Sequence, residues 1–178
     1  MCPLLLCSFP PSSPPRFKVN IAVNGSATDI YSAIMTMPPL CRTGLIKSIR
    51  VVDCINNYSD IVHIMLEEIY LYPSFTSPRD LCLMRYWHHN SDGSYVICLD
   101  STTHADCPLI PGYVRAHLHA AYVILPPKEG EVDDDHMECL VTFVAQMSPK
   151  GWIWEGVFFS YVISYVNNIK MIKIMRFS

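Results

Sequence analysis

The chain has little charge and no surplus of either sign: Asp, Glu, Lys and Arg make up 16% of its 178 residues, and 13 basic against 16 acidic residues leave a net charge of -3. Holding nucleic acid by counterion displacement needs a basic field, and none is present, so nucleic acid is excluded as a partner. Catalytic signatures are missing as well. There is no G-x-S-x-G elbow, no H-E-x-x-H pair, no C-x-x-C and no glycine-rich phosphate loop. The most apolar stretch, residues 152–166, falls short of the ~20 residues that span a bilayer as a helix. What is abundant is apolar surface. Hydrophobic residues reach 51% and mean hydropathy is +0.22, which points to an apolar cavity or an apolar partner.

Cys2, Cys7, Cys41, Cys54, Cys82, Cys98, Cys107 and Cys139 are scattered, several inside apolar runs where a reduced thiol packs as a small hydrophobe. This usage predicts a reducing, cytoplasmic compartment, with peripheral membrane contact as an option. Leu4 to Leu6 make a poor signal peptide, because no basic residue precedes them and Pro3, Pro10, Pro11, Pro14 and Pro15 interrupt the run.

Three regions are expected: a flexible Pro/Ser-rich stretch over 1–16, a folded domain over 17–152, and an apolar C-terminal segment over 153–178. In the domain, Val19, Ile21 and Val23 alternate with polar or small residues, which predicts a half-buried strand. Ser26 followed by Asp29 resembles a capping box, and Ile30, Ala33, Ile34 and Met37 recur at helical spacing until Pro38-Pro39. Six strands follow, over 45–54, 60–69, 80–89, 94–101, 112–125 and 137–147. Asn56-Asn57 and Asp92-Gly93 supply hairpin turns, so the sheet should be antiparallel. The class is α+β.

Several ordered motifs carry a family resemblance: Ser77-Pro78-Arg79-Asp80 through Arg85-Tyr86-Trp87, Asp92-Gly93-Ser94-Tyr95-Val96, Gly112-Tyr113-Val114-Arg115-Ala116-His117-Leu118 and Lys150-Gly151-Trp152. In that order they resemble a START (StAR-related lipid-transfer) domain, nearest the plant enhanced-disease-resistance type. The resemblance implies a helix-grip fold, in which a curved antiparallel sheet wraps a long C-terminal helix around a hydrophobic tunnel. The implied activity is non-enzymatic binding and transfer of a sterol, phospholipid or sphingolipid, without cofactor, at transient contacts with membranes. The chain departs from the family pattern at both ends. The family's longer N-terminal helix and extra strands do not precede Phe17, and residues 153–178 are unlike its charged C-terminal helix. A truncated, non-binding fragment is therefore one alternative reading.

Within this frame Arg85 shares a strand face with Leu81, Leu83 and Trp87, so its charge needs either a ligand or a partner. The resemblance makes it a polar hook inside the tunnel. A two-residue turn at Asp92-Gly93 would instead set it opposite Asp100 as an ordinary cross-strand pair, an arrangement that a one-residue slip would break. The family's acidic partner on the preceding strand falls near Leu66, leaving Glu67 or Glu68 to substitute. Val114, Ala116, Leu118, Ala120, Tyr122 and Ile124 form one apolar face, joined by Val141 and Phe143. These are core in any fold, with the small residues leaving room for a ligand. Tyr72 and Phe75, on the Pro-restricted stretch 70–79, are the expected gate. The rival class is a metal-dependent hydrolase. His117 and His119 share a face, and His104, Cys107, His136 and Cys139 are available as ligands, although Arg115 beside them disfavours a cation.

Overall fold

A computed structural model describes residues 16–36, 46–68, 70–71, 74–127 and 138–151. Its elements are β1 (Arg16–Asn24), α1 (Ala27–Thr36), β2 (Ile46–Asn56), β3 (Ser59–Leu66), β4 (Tyr70–Leu71), β5 (Ser74–Phe75), β6 (Arg79–His89), β7 (Tyr95–Ser101), β8 (Val114–Arg115), β9 (His117–Leu125) and β10 (Glu138–Ser148). Seven strands run in the order β1-β10-β9-β7-β6-β3-β2, every neighbouring pair antiparallel, and β8 joins the same sheet beside β6. The β4-β5 ribbon stands off this sheet. The expected strands are therefore present, as is the helix. Pro38-Pro39 and the whole of 153–178 lie outside the described residues.

Alternation decides which face is buried. Ile21 and Val23 on β1, Val62 and Ile64 on β3, Leu81 and Leu83 on β6, Ile97 and Leu99 on β7, Tyr122 and Ile124 on β9, and Val141 and Phe143 on β10 belong to one apolar cluster on one side of the sheet. α1 closes over that side through Ala27 and Ile30, with Tyr31, Ile34 and Met35 packed alongside. The helix begins where its capping box predicts. Ser26 Oγ accepts from the Asp29 amide at 3.1 Å and donates to Asp29 Oδ2 at 2.7 Å. The edge strand β2 is mostly exposed and its register is interrupted in three places, the kind of irregularity that blunts an open edge against pairing with another chain.

Two local expectations need correction. The stretch 112–125 is not one antiparallel strand: Val114–Arg115 pairs in parallel with Arg79–Asp80, and only from His117 does the chain pair with β7. The reason is an unfilled edge. β7 reaches no further along β6 than the Leu83–Ser101 pair, so the backbone of Arg79 and Asp80 would lack partners. β8 supplies them, with Val114 N donating to Pro78 O at 2.9 Å and Ala116 N to Asp80 O at 3.0 Å. The second correction is the β6-β7 turn. Asn90 N donates to Ser94 O at 2.9 Å, leaving a three-residue loop of Ser91, Asp92 and Gly93, with Gly93 at φ +80°. That is the bulged turn glycine permits, not a two-residue one.

The start of β6 is tied to the end of β10 by one buried cation. Arg79 donates to Pro149 O at 3.3 Å, to Lys150 O at 3.0 Å and to Ser77 O, and burial pushes its guanidinium down from the ordinary arginine value. Gly151 sits at φ +75°, and a Cβ there would come within 3.1 Å of Arg79 Nη2, so both backbone and space call for glycine.

Candidate functional site

The inner face of the sheet is mostly apolar, and Arg85 enters it in mid-strand. β3 and β6 pair in register so that Asp60 lies directly opposite Arg85, and each is 5% exposed. Arg85 Nε donates to Asp60 Oδ1 at 2.9 Å and Nη2 to Asp60 Oδ2 at 2.6 Å, a bidentate fork. Nη1 donates to Met35 O at 2.7 Å, so the same cation satisfies a carbonyl in the last turn of α1. A guanidinium has five N–H bonds; these contacts use three and leave two unassigned among the described residues. The Arg85 Cζ also stands 5.8 Å from the Trp87 ring.

Around this pair lie aromatic groups with polar tips. Tyr31 stacks on Tyr95 with ring centroids 4.6 Å apart, and the Tyr95 hydroxyl shares a hydrogen bond of 3.1 Å with Thr28. Burial raises the Tyr31 phenol, against the lowering pull of Arg85. Deeper in the face, Tyr122 stacks on Phe143 at 4.4 Å. Its hydroxyl has no hydrogen-bond partner among the described residues, and burial pushes its pKa upward.

Most of the expected site residues meet here. Leu83, Ala116, Val141 and Phe143 are buried in the inner cluster, and Trp87, Leu118 and Ala120 pack against it. Val114 is half-buried at the β8 edge, near the position a Gly151 side chain would occupy. Two partner assignments are corrected. Asp100 is not opposite Arg85: the three-residue turn shifts the register by one, so Arg85 faces Leu99, and Asp100, opposite Met84, turns outward. Glu67 and Glu68 are exposed just past the end of β3 and do not reach Arg85. The carboxylate that pairs with Arg85 is Asp60, at the other end of that strand. The signal was in the sequence: Ser59-Asp60 begins a strand whose other residues, His63 apart, are apolar, and Asp60 shares the parity of Val62 and Ile64. Tyr72 lies outside the described residues. Phe75 pairs its backbone with Tyr70 in the β4-β5 ribbon.

The outer face holds a second buried cluster. Asp80 accepts from Arg115 Nε and Nη2 at 2.9 and 2.8 Å and bonds His63 Nε2 at 2.9 Å. Burial by itself would raise the Asp80 carboxyl, but the hydrogen bonds and charges of Arg115 and His63 outweigh it and hold the pKa below its usual value. Arg115 also donates to Cys107 O at 3.3 Å and Pro108 O at 3.0 Å, pinning the segment 102–113 over this face. The histidines proposed as metal ligands disperse. His119 bonds Asp100, and His104 bonds Asp53 at 3.2 Å. The His117 imidazole is pushed down by partial burial, with Lys150 and His119 adding to the effect. Cys139 donates to Gly25 O at 3.1 Å, and His136 lies outside the described residues. Among the described residues no group of three His, Cys, Asp or Glu side chains is placed to hold a metal ion. Nor, among them, is any helix long and apolar enough to cross a membrane.

Solved structures share this architecture. The human StarD13 (DLC2) lipid transfer and protein localization domain superposes with a TM-score of 0.69 at 17% identity, covering 92% of this chain and 84% of that one. Human StAR-related lipid transfer protein 5 gives 0.70 at 12% identity, covering 90% and 79%. In sequence, the chain is 38% identical over 81 residues to an Arabidopsis thaliana protein, "Protein ENHANCED DISEASE RESISTANCE 2-like", a match covering 46% of this chain and 11% of that one. It is 32% identical over 68 residues to the Homo sapiens ceramide transfer protein, covering 35% and 11%. The chain thus spans about a tenth of the length of the curated relatives it matches. The START domain pattern matches residues 16–168. With the sheet order, the helix laid on its inner face and this match across most of its length, the chain belongs to the START domain family.

Proposed function

We propose that this chain binds one lipid molecule against the inner face of its sheet and transfers it between membranes. The observation that carries the reading is the Arg85–Asp60 pair, a buried and incompletely saturated polar spot on a mostly apolar face. Apolar surface removed from water contributes ~25 cal/mol per Å², which suffices for an acyl chain or sterol ring but does not tell one lipid from another. Discrimination needs polar groups at fixed points. The two remaining Arg85 N–H bonds donate to a headgroup or sterol oxygen, directly or through water. The Tyr122 hydroxyl offers a second contact deeper in the face. Trp87, Leu83, Ala116, Leu118, Val141 and Phe143 supply the apolar wall, with Val114 at its rim.

The candidates are a sterol, a phospholipid or a sphingolipid, and similarity to a ceramide transfer protein gives the sphingolipid first place in testing. The ribbon around Tyr72 and Phe75 is assigned to the mouth, where aromatic rings favour the membrane interface. A cytoplasmic protein touching membranes transiently fits this reading, which requires no catalytic step and no cofactor. Native mass spectrometry of the full chain purified from cells should show one discrete lipid adduct. Absence of an adduct, together with failure of fluorescent sterol, phospholipid and ceramide probes to saturate, would refute the proposal and favour the non-binding fragment.

A further inference from the structure

On the opposite, outer face, an open cavity of about 500 Å³ lies between the sheet and the 102–113 segment. Cys82 from β6 and Cys107 from the segment both line it, with Thr103, His104 and Arg115. The two cysteines pack together with Ile61 in a small cluster of their own. Both are free thiols. We infer that Cys82 and Cys107 form a reversible dithiol–disulfide pair, oxidised by hydroperoxides that enter this cavity, which fastens the 102–113 segment to β6.

The surroundings divide the two roles. Arg115 Nη2 stands 3.8 Å from Cys107 Sγ, and its positive charge favours negative charge developing on that sulfur, so the first step belongs to Cys107. Its sulfur attacks the distal oxygen of the peroxide. The O–O bond breaks, Cys107 becomes a sulfenic acid, and the leaving oxygen departs as water or an alcohol after taking up the thiol proton. Cys82 then attacks the sulfenic sulfur. The S–S bond forms, the S–O bond breaks, and the Cys82 proton leaves with the hydroxide as a second water, so that two thiols are oxidised and one peroxide is reduced. Burial, together with the neighbouring Cys107 thiol, pushes the Cys82 thiol up to about 11. Cys82 therefore keeps its proton until the second step consumes it.

The backbone also suits the pair. Cys82 lies in mid-strand, and its carbonyl already accepts from Thr102 N at 2.9 Å, so the start of the segment is fixed. Cys107 sits beyond a turn closed by its own amide to His104 O at 3.0 Å, in the segment that lines the cavity with Cys82. Exposed Cys54 is an internal control, because it meets oxidant freely and has no thiol beside it among the described residues.

The test uses the full reduced chain, treated with hydrogen peroxide, quenched, alkylated under denaturing conditions and mapped by mass spectrometry. The expected product is a peptide pair joined through Cys82 and Cys107, about 2 Da lighter than the two thiol peptides and restored by dithiothreitol. In Cys82→Ser, a sulfenic acid on Cys107 should persist and be trapped by dimedone. Hydrogen exchange at the Cys107 and Tyr113 amides should slow about tenfold in the oxidised chain. The inference is overturned if both cysteines still alkylate after Cys54 is oxidised, if Cys107 goes directly to sulfinic acid, or if either cysteine pairs with Cys54 instead. Because the mapping is done on the unaltered chain, misfolding of the Ser variant leaves the first readout intact.

Discussion

The two faces of β6 carry the same chemistry under different circumstances. On the inner face Arg85 meets Asp60 beside the wall assigned to the lipid, and on the outer face Arg115 meets Asp80 beneath the 102–113 segment. Both pairs are bidentate forks. They differ in what else they hold: Asp80 takes a third partner in His63, and Arg115 binds two carbonyls of the covering segment. Arg85 holds only the carbonyl of Met35 besides Asp60 and keeps two donors unassigned. Arg115 likewise leaves its Nη1 hydrogens unassigned among the described residues, so the difference lies in what surrounds each pair: the outer one is braced by three further groups and fixes the structure, whereas the inner one stands on an apolar face where its spare donors can recognise a ligand.

The largest effect should come from the outer pair, which has more partners. Asp80→Ala leaves the Arg115 charge without its acceptor in a covered site, which costs roughly 3 to 5 kcal/mol. For a domain of this size that lowers Tm by roughly 6 to 20 °C. Lipid selectivity of whatever protein remains folded should not change. A drop of Tm under ~3 °C would show that the outer pair is solvated and would erase the contrast between the two faces.

Arg85→Leu comes next. It strands Asp60, and the loss should be about 3 kcal/mol, the lower end of the range for a broken buried pair. Asp60 stands at the start of β3 on the inner face, the side proposed to hold the lipid. Adding Asp60→Leu should recover most of the stability, because an apolar pair of similar volume suits this face, yet lipid discrimination should stay lost in both variants. The decisive reading is a double-mutant cycle followed by unfolding and by lipid binding: coupling above ~1 kcal/mol with Asp60 and none with Asp100. Selectivity that survives in the double variant would make the inner pair structural, like the outer one.

Acid separates the faces by a third route. The Asp80 pKa is held below its unfolded value by Arg115 and His63. The stability this confers is fully present above the unfolded carboxyl value of about 3.9 and is lost as pH falls through the lower folded one. Urea unfolding of the wild type should therefore steepen in its pH dependence below about pH 4, and Asp80→Asn, though less stable at neutral pH, should give a flatter curve there. Curves of equal slope would assign the acid sensitivity to other carboxylates.

The sheet was legible because period-two alternation is a local property: Val19-Ile21-Val23 and Val114 through Ile124 announce their buried faces without help from the rest of the chain. The helix start was legible because Ser26 and Asp29 act within one turn. Pairing was harder to read, because one residue in a turn reassigns every cross-strand partner. Asp92-Gly93 identified the turn but not its length, and the length decides whether Arg85 meets Asp100 or Leu99. The parallel β8 pairing could not be read locally either, since it depends on where β7 stops. Asp60 was missed because it was sought at the far end of its strand, although its parity with Val62 marked it as inward.

A small effect is expected from Tyr122→Phe. Removing a hydroxyl for which no hydrogen bond is found among the described residues should shift stability by less than ~0.5 kcal/mol, or raise it slightly. If the hydroxyl contacts the lipid, the variant should lose about threefold to tenfold in affinity for a ligand with a polar group at that depth, and nothing for one without. Unchanged affinity across sterol, phospholipid and ceramide probes would leave Arg85 as the polar contact of the inner face.

The smallest effect belongs to the pair that a two-residue turn would have made central. Asp100 bonds His119 on the outer surface, and more than half of each side chain is exposed. Exposed pairs contribute between nothing and ~1 kcal/mol because water and salt screen the attraction. Asp100→Asn should therefore leave Tm within ~2 °C of the wild type and lipid selectivity unchanged, and adding Arg85→Leu should give the sum of the two single effects. Non-additivity beyond ~0.5 kcal/mol would mean that Arg85 senses Asp100 through the strand. The two faces of β6 would then be coupled, and the separation between recognising on one side and fixing on the other would fail.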